Sequence, residues 1–143
     1  MTQSPSMTHM GYDPGHCWYY LLGGKVLSPK QIKLRTLASG YKGYAAEDIG
    51  EAHLKAEPKR SSALRHLKAK FETDLKRDIS RYRECALALH RFRKANPPLT
   101  ERPKCANDVH MNISLKHNHI VNDFAHLIYL NELLNQQGDL FSF

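Results

Sequence analysis

Residues 61–95 read SSALRHLKAKFETDLKRDISRYRECALALHRFRKA and decide the fold of this chain. Apolar side chains recur here at steps of three and four residues, the spacing that places them on one face of an α-helix. This stripe consists of Leu64, Leu67, Phe71, Leu75, Ile79, Tyr82, Ala86, Leu89 and Phe92. Ser61 or Ser62 can cap the helix, and Pro97 with Pro98 should end it. We therefore predict one long helix over this stretch.

A second long helix is predicted in the last third of the chain. After a polar loop at 97–106, it should begin between Asn107 and Ser114 and end near Gly138. Its apolar face is wide enough to indicate burial on more than one side, and it is formed by Ile120, Phe124, Leu127, Ile128, Leu130, Leu133 and Leu134. Because the connection between the two long helices is short, they should lie antiparallel.

Shorter elements are predicted before residue 61. Ser28 and Pro29 are typical of a helix start, and Gly40 is typical of a helix end. A second short helix is expected over about 45–55. The apolar residues of the first helix are Ile32, Leu34 and Leu37, and those expected to face inward in the second are Ile49, Ala52 and Leu54.

The predicted fold is mainly α, a long antiparallel helical hairpin with short N-terminal helices. Residues 16–27 fit either a small β-hairpin turning at Gly23 and Gly24 or a short buried helix. We divide the chain into a flexible leader at 1–15, a single helical domain at 16–136 and a C-terminal tail at 137–143.

Composition indicates a cytoplasmic protein without a membrane segment. No apolar run is long enough to span a bilayer, and the first residues lack a signal-peptide pattern. Cys17, Cys85 and Cys105 are odd in number and have no short-spaced partners, which fits a reducing compartment better than a disulfide scaffold.

Positive charge is concentrated in the middle of the chain. Residues 58–104 carry 14 Lys or Arg against 5 Asp or Glu, whereas residues 105–143 carry 1 against 4, and the whole chain has a net charge of +7. Concentrated positive charge favours DNA or an acidic protein as partner, although a merely solvated helix face is the alternative. The candidate contacts are Arg65, Lys68, Lys76, Arg77, Arg81, Arg83, Arg91, Arg93 and Lys94.

The last seven residues, 137–143, read QGDLFSF. They resemble the short motif by which many bacterial replication and repair proteins dock on the sliding clamp. In that resemblance the Gln137 carboxamide anchors the peptide, while Leu140 and Phe141 fill an apolar pocket. Asp139 stands where Ser or Asp is usual, and Gly138 replaces the commoner Leu. The alternative is a tail whose apolar residues pack on the protein's own core.

A helix-turn-helix is a competing interpretation of residues 28–67. This segment resembles, with departures in length, the DNA-binding domain of response-regulator type. The resemblance implies duplex contacts by Lys59 and Arg60 at the start of a recognition helix. Two short packed helices without DNA binding are the simpler alternative.

Arg83 and His90 are spaced as Arg-x6-His. This pattern resembles the catalytic motif of the HEPN ribonucleases, which are also small helical bundles. The resemblance implies that the two side chains, paired across a dimer, act on an RNA 2′-hydroxyl and phosphate. Histidine suits general acid–base chemistry near neutral pH.

The histidines show no metal-ligand spacing. Four of them fall in the predicted last helix, at His110, His117, His119 and His126, without the i,i+4 spacing of a helical zinc site. We expect them at the surface or at the edge of the core, and we predict no metal, no cofactor and no catalytic residue.

These patterns favour a small, basic, non-enzymatic interaction protein. It should dock on the sliding clamp through its tail and contact DNA or an acidic partner through the basic helix, recruiting to or interfering with replication or repair. A factor of a phage, plasmid or other mobile element would fit this description. The alternatives are a helix-turn-helix transcriptional regulator, a HEPN-like ribonuclease and an inhibitor of a defence protein. The wide apolar face of the last helix also indicates a homodimer as an option.

Overall fold

The computed structural model describes residues 25–95 and 102–135, with side chains over 25–95 and 111–135. The described residues form four α-helices: α1 at Pro29–Ser39, α2 at Ala46–His53, α3 at Lys59–Ala95 and α4 at Arg102–Asn135. The prediction of a mainly α fold is therefore confirmed. The β-hairpin predicted at 16–27 lies almost wholly outside the described residues, and its described end, 25–27, is not a strand.

Helix α1 begins and ends where the sequence predicts. The Ser28 hydroxyl accepts the backbone N–H of Gln31 at 3.2 Å, and the Gln31 side chain accepts the Ser28 N–H at 2.9 Å. This reciprocal capping box satisfies two N–H groups that have no partner inside the helix. At the other end, Gly40 adopts φ 75° and its N–H donates to the Leu37 carbonyl, a left-handed cap that favours glycine.

Helices α3 and α4 pair along two apolar clusters. One cluster joins Tyr82 and Leu89 of α3 to Ile113 and Ile120 of α4. The other joins Leu64 and Phe71 to Leu130 and Leu133. Because the end of α3 meets the start of α4 and the reverse, the two helices run antiparallel. Each fully buried side chain of this size contributes about 1.5–3 kcal/mol, so the seam between α3 and α4 is the core of the fold.

The two short helices pack against this pair. Helix α1 contacts α4, and α2 contacts both α3 and α4. Ile32 joins the first cluster, while Ile49 and Ala52 join the second. The Tyr82 hydroxyl also donates to the Leu27 carbonyl at 2.7 Å, which fixes the residues before α1 to α3.

The connection between α1 and α2 lies directly on α4. Gly43 adopts φ 93°, and a Cβ at this position would overlap the imidazole of His126. His126 Nε2 accepts the Ala45 backbone N–H at 3.0 Å. Asn122 Oδ1 accepts the Tyr41 hydroxyl at 2.6 Å and the Tyr44 backbone N–H at 3.1 Å. Polar side chains of α4 therefore hold this connection in place.

Two predicted helix starts are wrong. Helix α4 begins at Arg102, inside the polar loop expected at 97–106, because a proline at position 103 is compatible with a first helical turn. Helix α3 begins at Lys59, so Ser61 already lies within its first turn. The Glu57 carboxylate, and not a serine, accepts the Ser61 N–H at 3.0 Å.

The inward face of α2 also differs in part from the prediction, and the apolar residues of α1 are buried unequally. Leu54 is 83 % exposed because it follows the end of α2 and points away from the hairpin. Leu34 and Leu37 are more than half exposed. The buried face of α1 instead combines Ile32 with Thr36, whose hydroxyl donates back to the Ile32 carbonyl at 2.7 Å. This internal bond lets a threonine occupy a core position.

Candidate functional site

The nine predicted contact residues lie on the solvent side and flanks of α3. Eight are exposed, and Lys68 is half-buried. At about 100° per residue, Arg65, Lys76, Arg83 and Lys94 fall within about 20° of one another, over roughly 44 Å of helix axis. We call these four residues the cationic row.

The other five cations do not join the cationic row. Lys68 and Arg93 lie on one flank of α3, near the core edge, while Arg91 and Arg81 lie on the other side. Arg77 pairs with Asp74 and Asp78, with 3.3 Å between nitrogen and oxygen in each contact. A guanidinium engaged in this way is less available to a ligand, so we base the candidate site on the cationic row.

The field around α3 is strongly positive. The helix carries 12 Lys or Arg and 4 Asp or Glu, and only two of those carboxylates, Glu72 and Glu84, are exposed. A concentration of one charge on a rigid element attracts ligands of the opposite sign over about a Debye length, roughly 8–10 Å at ordinary salt. The arrangement therefore fits an extended polyanion.

A shallow groove of about 340 Å³ lies in the middle of the cationic row. It combines two cations of the row with an apolar patch, and it is lined by Lys76, Ile79, Ser80, Arg83, Glu84 and Leu87. The long aliphatic stems of lysine and arginine can cover such a patch while their charged ends remain in water.

The two residues of the HEPN-like pattern also lie on this side of α3. Arg83 and His90 are both exposed, within about 20° of each other and about 10 Å apart along the axis. The ribonuclease interpretation stays a prediction.

The residues that carry the helix-turn-helix interpretation are placed differently. Lys59 is exposed beside a pocket at the start of α3. Arg60 is engaged within the protein: it pairs with Glu57 at 3.0 Å, and its Nη1 lies 3.2 Å from His53 Nδ1. Sequence-specific DNA binding stays a prediction.

A buried carboxyl pair that sequence reasoning missed lies in the seam between α3 and α4. Asp78 and Asp123 are both almost fully buried. Burial, the hydrogen bond with Asp78 and the Asp78 charge raise the pKa of Asp123 to about 9. Burial opposes ionisation of Asp78 as well, but hydrogen bonds from Asp123 and Arg77 bring its pKa below the usual value. At neutral pH the pair therefore holds one proton, which sits on Asp123.

A pocket of about 140 Å³ opens beside this pair, and we call it the acidic pocket. It is lined by Tyr44, Asp74, Arg77, Asp78, His119, Asn122 and Asp123. One signal could have located it. Polar residues at 122, 123 and 126 interrupt the apolar face of α4, and polar groups inside a buried face need partners.

Two histidines of α4 lie deeper than the surface or core-edge position that the sequence predicts. His117 and His126 are fully buried. The His126 ring packs 4.3 Å from the Phe71 ring and edge-on to Tyr44 at 5.0 Å. Burial lowers the pKa of each histidine to about 4, with a further contribution from Arg35 at His117 and from Lys70 at His126. Both rings are therefore neutral at pH 7.

The residues of the clamp-like motif, Gln137, Asp139, Leu140 and Phe141, lie outside the described residues. Across the described ranges, no group of three or more His, Cys, Asp or Glu is arranged to hold a metal ion. Nor does any helix in those ranges combine the length and apolar character needed to cross a lipid bilayer. Comparisons with protein-family models, with curated proteins and with solved structures found no match to this chain.

Proposed function

We propose that this chain is a non-enzymatic interaction protein that binds DNA through the cationic row of α3 and docks on a replication sliding clamp through its C-terminal tail. The observation that carries the DNA-binding part is the cationic row itself, four exposed cations aligned on one rigid helix. Duplex DNA presents about one charge per 1.7 Å of its axis, so a row of roughly 44 Å can contact several phosphates at once.

DNA is a better fit to the cationic row than an acidic protein. The four cations are spread over more than seven helical turns and do not form a compact patch, whereas a protein partner of standard size buries a compact area. Contacts from such a row would go to phosphates, which position a protein on DNA but carry no sequence information directly. We therefore expect binding that is strongly salt-dependent and indifferent to base sequence.

Salt dependence gives a quantitative test. If each cation of the row neutralises one phosphate, the slope of log K against log salt should include about −3.6 from these four residues. The measurement is fluorescence anisotropy on two unrelated 30-base-pair duplexes over a range of salt concentrations. The variant is Arg65→Gln/Lys76→Gln/Arg83→Gln/Lys94→Gln, for which we expect the slope to become shallower by about this amount.

The matched control removes the same number of charges elsewhere. Lys25, Lys30, Lys33 and Lys55 are exposed and lie outside α3. Their fourfold replacement by Gln changes the net charge equally but should leave most of the salt slope intact. A loss equal to that of the row variant would mean that net charge alone attracts DNA, and the proposed site would be wrong.

The proposed docking on the sliding clamp rests on the motif at residues 137–143. Calorimetry of the full chain with purified bacterial sliding clamp should detect binding that Leu140→Ala/Phe141→Ala abolishes. Gly138→Leu, which restores the commoner residue of the motif, should tighten it. Two linked contacts on one DNA–clamp assembly would then raise the overall affinity through effective concentration. Absence of any binding by the full chain would refute clamp docking while leaving the DNA proposal standing.

A ribonuclease is the second candidate function. The observation that favours it is the exposure of Arg83 and His90 on one side of α3. Incubation with single-stranded RNA, with His90→Ala as the variant and His66→Ala as an exposed histidine control on the same helix, tests it directly. Cleavage that survives His90→Ala would come from a contaminant or another site.

A further inference from the structure

The acidic pocket has more carboxyl groups than cations to balance them. Among its lining residues, Asp74, Asp78 and Asp123 carry carboxyls, and Arg77 alone carries a fixed positive charge. Arg77 contacts Asp74 and Asp78, each at 3.3 Å, and its side chain is 49 % exposed. These contacts are long for a charge-assisted pair, so this guanidinium neutralises the pocket only in part.

One carboxyl oxygen in the pocket lacks a donor. Asp123 is only 6 % exposed, and its Oδ2 has no hydrogen-bond partner among the described residues. Asp78 and Asp123 share a single proton at neutral pH, and one proton cannot pair every acceptor oxygen of two buried carboxyls. A buried, unpaired acceptor is costly, so this oxygen is suited to a donor from outside the chain that also carries positive charge.

The walls of the pocket suit a small organic cation. Tyr44 lines the pocket and is 72 % exposed, and aromatic rings attract cations. His119 forms another wall. Burial and the nearby positive charges of Lys116, Arg77 and Arg81 together lower the pKa of His119, although Asp78 opposes them, so its ring is neutral at pH 7. With about 140 Å³, the pocket is smaller than the 300–1,000 Å³ typical of sites for drug-sized ligands.

We propose that the acidic pocket binds a primary ammonium group, presented by a small alkylamine or by a lysine side chain of a partner protein. The –NH₃⁺ group has three N–H donors and no acceptor. Two of its donors would reach Asp123 Oδ2 and the Asp78 carboxylate, while its alkyl chain would leave along the Tyr44 ring. A metal ion fits less well, because no three candidate ligands in the described residues converge. Ammonium binding in this pocket would not depend on DNA or clamp binding.

Ammonium binding should be linked to proton release. The incoming charge replaces the proton that Asp123 holds, so affinity should rise up to tenfold per pH unit while Asp123 remains protonated in the free protein. The other charged or titratable groups facing the pair are Asp74 and Arg77 from α3, His119 from α4 and Tyr44 from the connection. Of these, His119 has a lowered pKa, so its titration moves away from the alkaline range used for the test.

The test is to titrate the full chain with amines at pH 7.0 and at pH 8.5. Calorimetry measures the affinity, and ¹H–¹⁵N NMR locates the binding site. One arm uses butane-1,4-diamine, and a second uses a short lysine-containing peptide whose matched version carries acetyl-lysine. Tetramethylammonium, which has charge but no N–H donor, is the chemical control. We expect shifts at the Tyr44 and Asn122 amides, at least tenfold tighter binding at pH 8.5, and little binding of tetramethylammonium. The arm that binds more tightly identifies the source of the ammonium group.

The variants separate this site from general charge attraction. Asp123→Asn keeps the shape and a donor toward Asp78 but removes the acidic group, and it should weaken amine binding at least tenfold. Glu84→Gln, which removes an exposed carboxylate outside the pocket, should bind as the unaltered protein does. Should Asp123→Asn fail to fold, Tyr44→Leu alters an exposed wall of the pocket and should weaken binding several-fold. No amine binding at millimolar concentration, equal binding by the variants, or binding of Mn²⁺ in the pocket without any amine binding would each overturn the proposal.

Discussion

The cationic row and the acidic pocket are formed by different sides of the same helix, yet their charges behave in opposite ways. The row's side chains are exposed to water, where each charge is screened and substitution should have little effect on the fold. Asp78 and Asp123 of the pocket are buried, so their pKa values move apart and both carboxyls become part of the fold's energetics. Charge on α3 therefore faces solvent on one side and takes part in a specific, proton-dependent structure on the other.

The largest expected effect on stability is at Gly43, in the connection between α1 and α2. Gly43→Ala places a Cβ on the His126 ring and also requires φ 93° of a non-glycine residue. We expect a loss of about 2–5 kcal/mol in the free energy of unfolding, from left-handed strain together with overpacking. Urea denaturation measures it.

Gly40→Ala is the matched control for this substitution. Gly40 also has positive φ, at 75°, but a Cβ there meets no atom within 4 Å. The loss in the free energy of unfolding for Gly40→Ala should therefore be limited to about 1–2 kcal/mol, from backbone strain alone. Equal losses at the two positions would show that contact with His126 contributes nothing.

The next largest effect is the pH dependence of stability, which should come from the buried groups and not from the cationic row. His117 and His126 have a pKa of about 4 in the fold against an ordinary 6.5, so they take up protons on unfolding, and stability is lost as pH falls from 6.5 toward 4. Asp123 has a pKa of about 9 in the fold against an ordinary 3.8, so it loses its proton on unfolding. Its contribution to the free energy of unfolding therefore falls as pH rises from 3.8 to about 9.

Together, the pKa shifts of His117, His126 and Asp123 predict maximal stability near pH 6.5. Above that pH, the free energy of unfolding should fall by up to about 1.4 kcal/mol per unit, approaching a plateau near pH 9. Chemical denaturation at several pH values tests this, with Asp123→Asn as the variant. The alkaline decline should flatten in that variant, and a decline that persists unchanged would assign it to another group.

A smaller effect is expected at Asn122, the residue that joins the pocket to the connection. Asn122→Ala removes the acceptor of the Tyr41 hydroxyl and of the Tyr44 N–H. Leaving the Tyr44 N–H without this acceptor costs about 1–3 kcal/mol, measurable as a lower urea midpoint. Asn131→Ala, at an exposed position of the same helix, is the control and should change stability little.

The smallest effect on stability is expected at the cationic row. Lys76→Gln and Arg83→Gln should each alter the free energy of unfolding by no more than about 0.5 kcal/mol. Thermal denaturation of the two variants beside the unaltered chain measures this. A larger loss at either position would mean that the row helps to hold the hairpin together, and the contrast with the pocket would weaken.

The long hairpin was predictable because periodic apolar residues report burial directly. Leu64, Phe71 and Leu89 share one face at helical spacing, and all three are buried in the seam. Ser28 and Gly40 mark the ends of α1 through local hydrogen bonding and backbone conformation, which depend on neighbouring residues alone. Features of this kind need no knowledge of the tertiary fold.

The polar interior was not predictable in the same way. Burial of Asp123 depends on Asp78 of another helix, and burial of His126 depends on Gly43 of a distant connection. Periodicity assigns polar residues to the surface by default, so Thr36 was also missed as a core residue. The cations of the row were predictable as exposed charges. That Arg77 differs from them became clear only from its contacts with Asp74 and Asp78.

The close approach of Gly43 to His126 also has a genetic consequence. Two positions more than eighty residues apart in the chain share a single volume, so neither can change independently. In a selection for folded variants, alanine at position 43 should survive mainly alongside a smaller side chain at 126, as a second-site suppressor. The reverse need not hold, because glycine at 43 accepts any neighbour that leaves the Ala45 N–H satisfied.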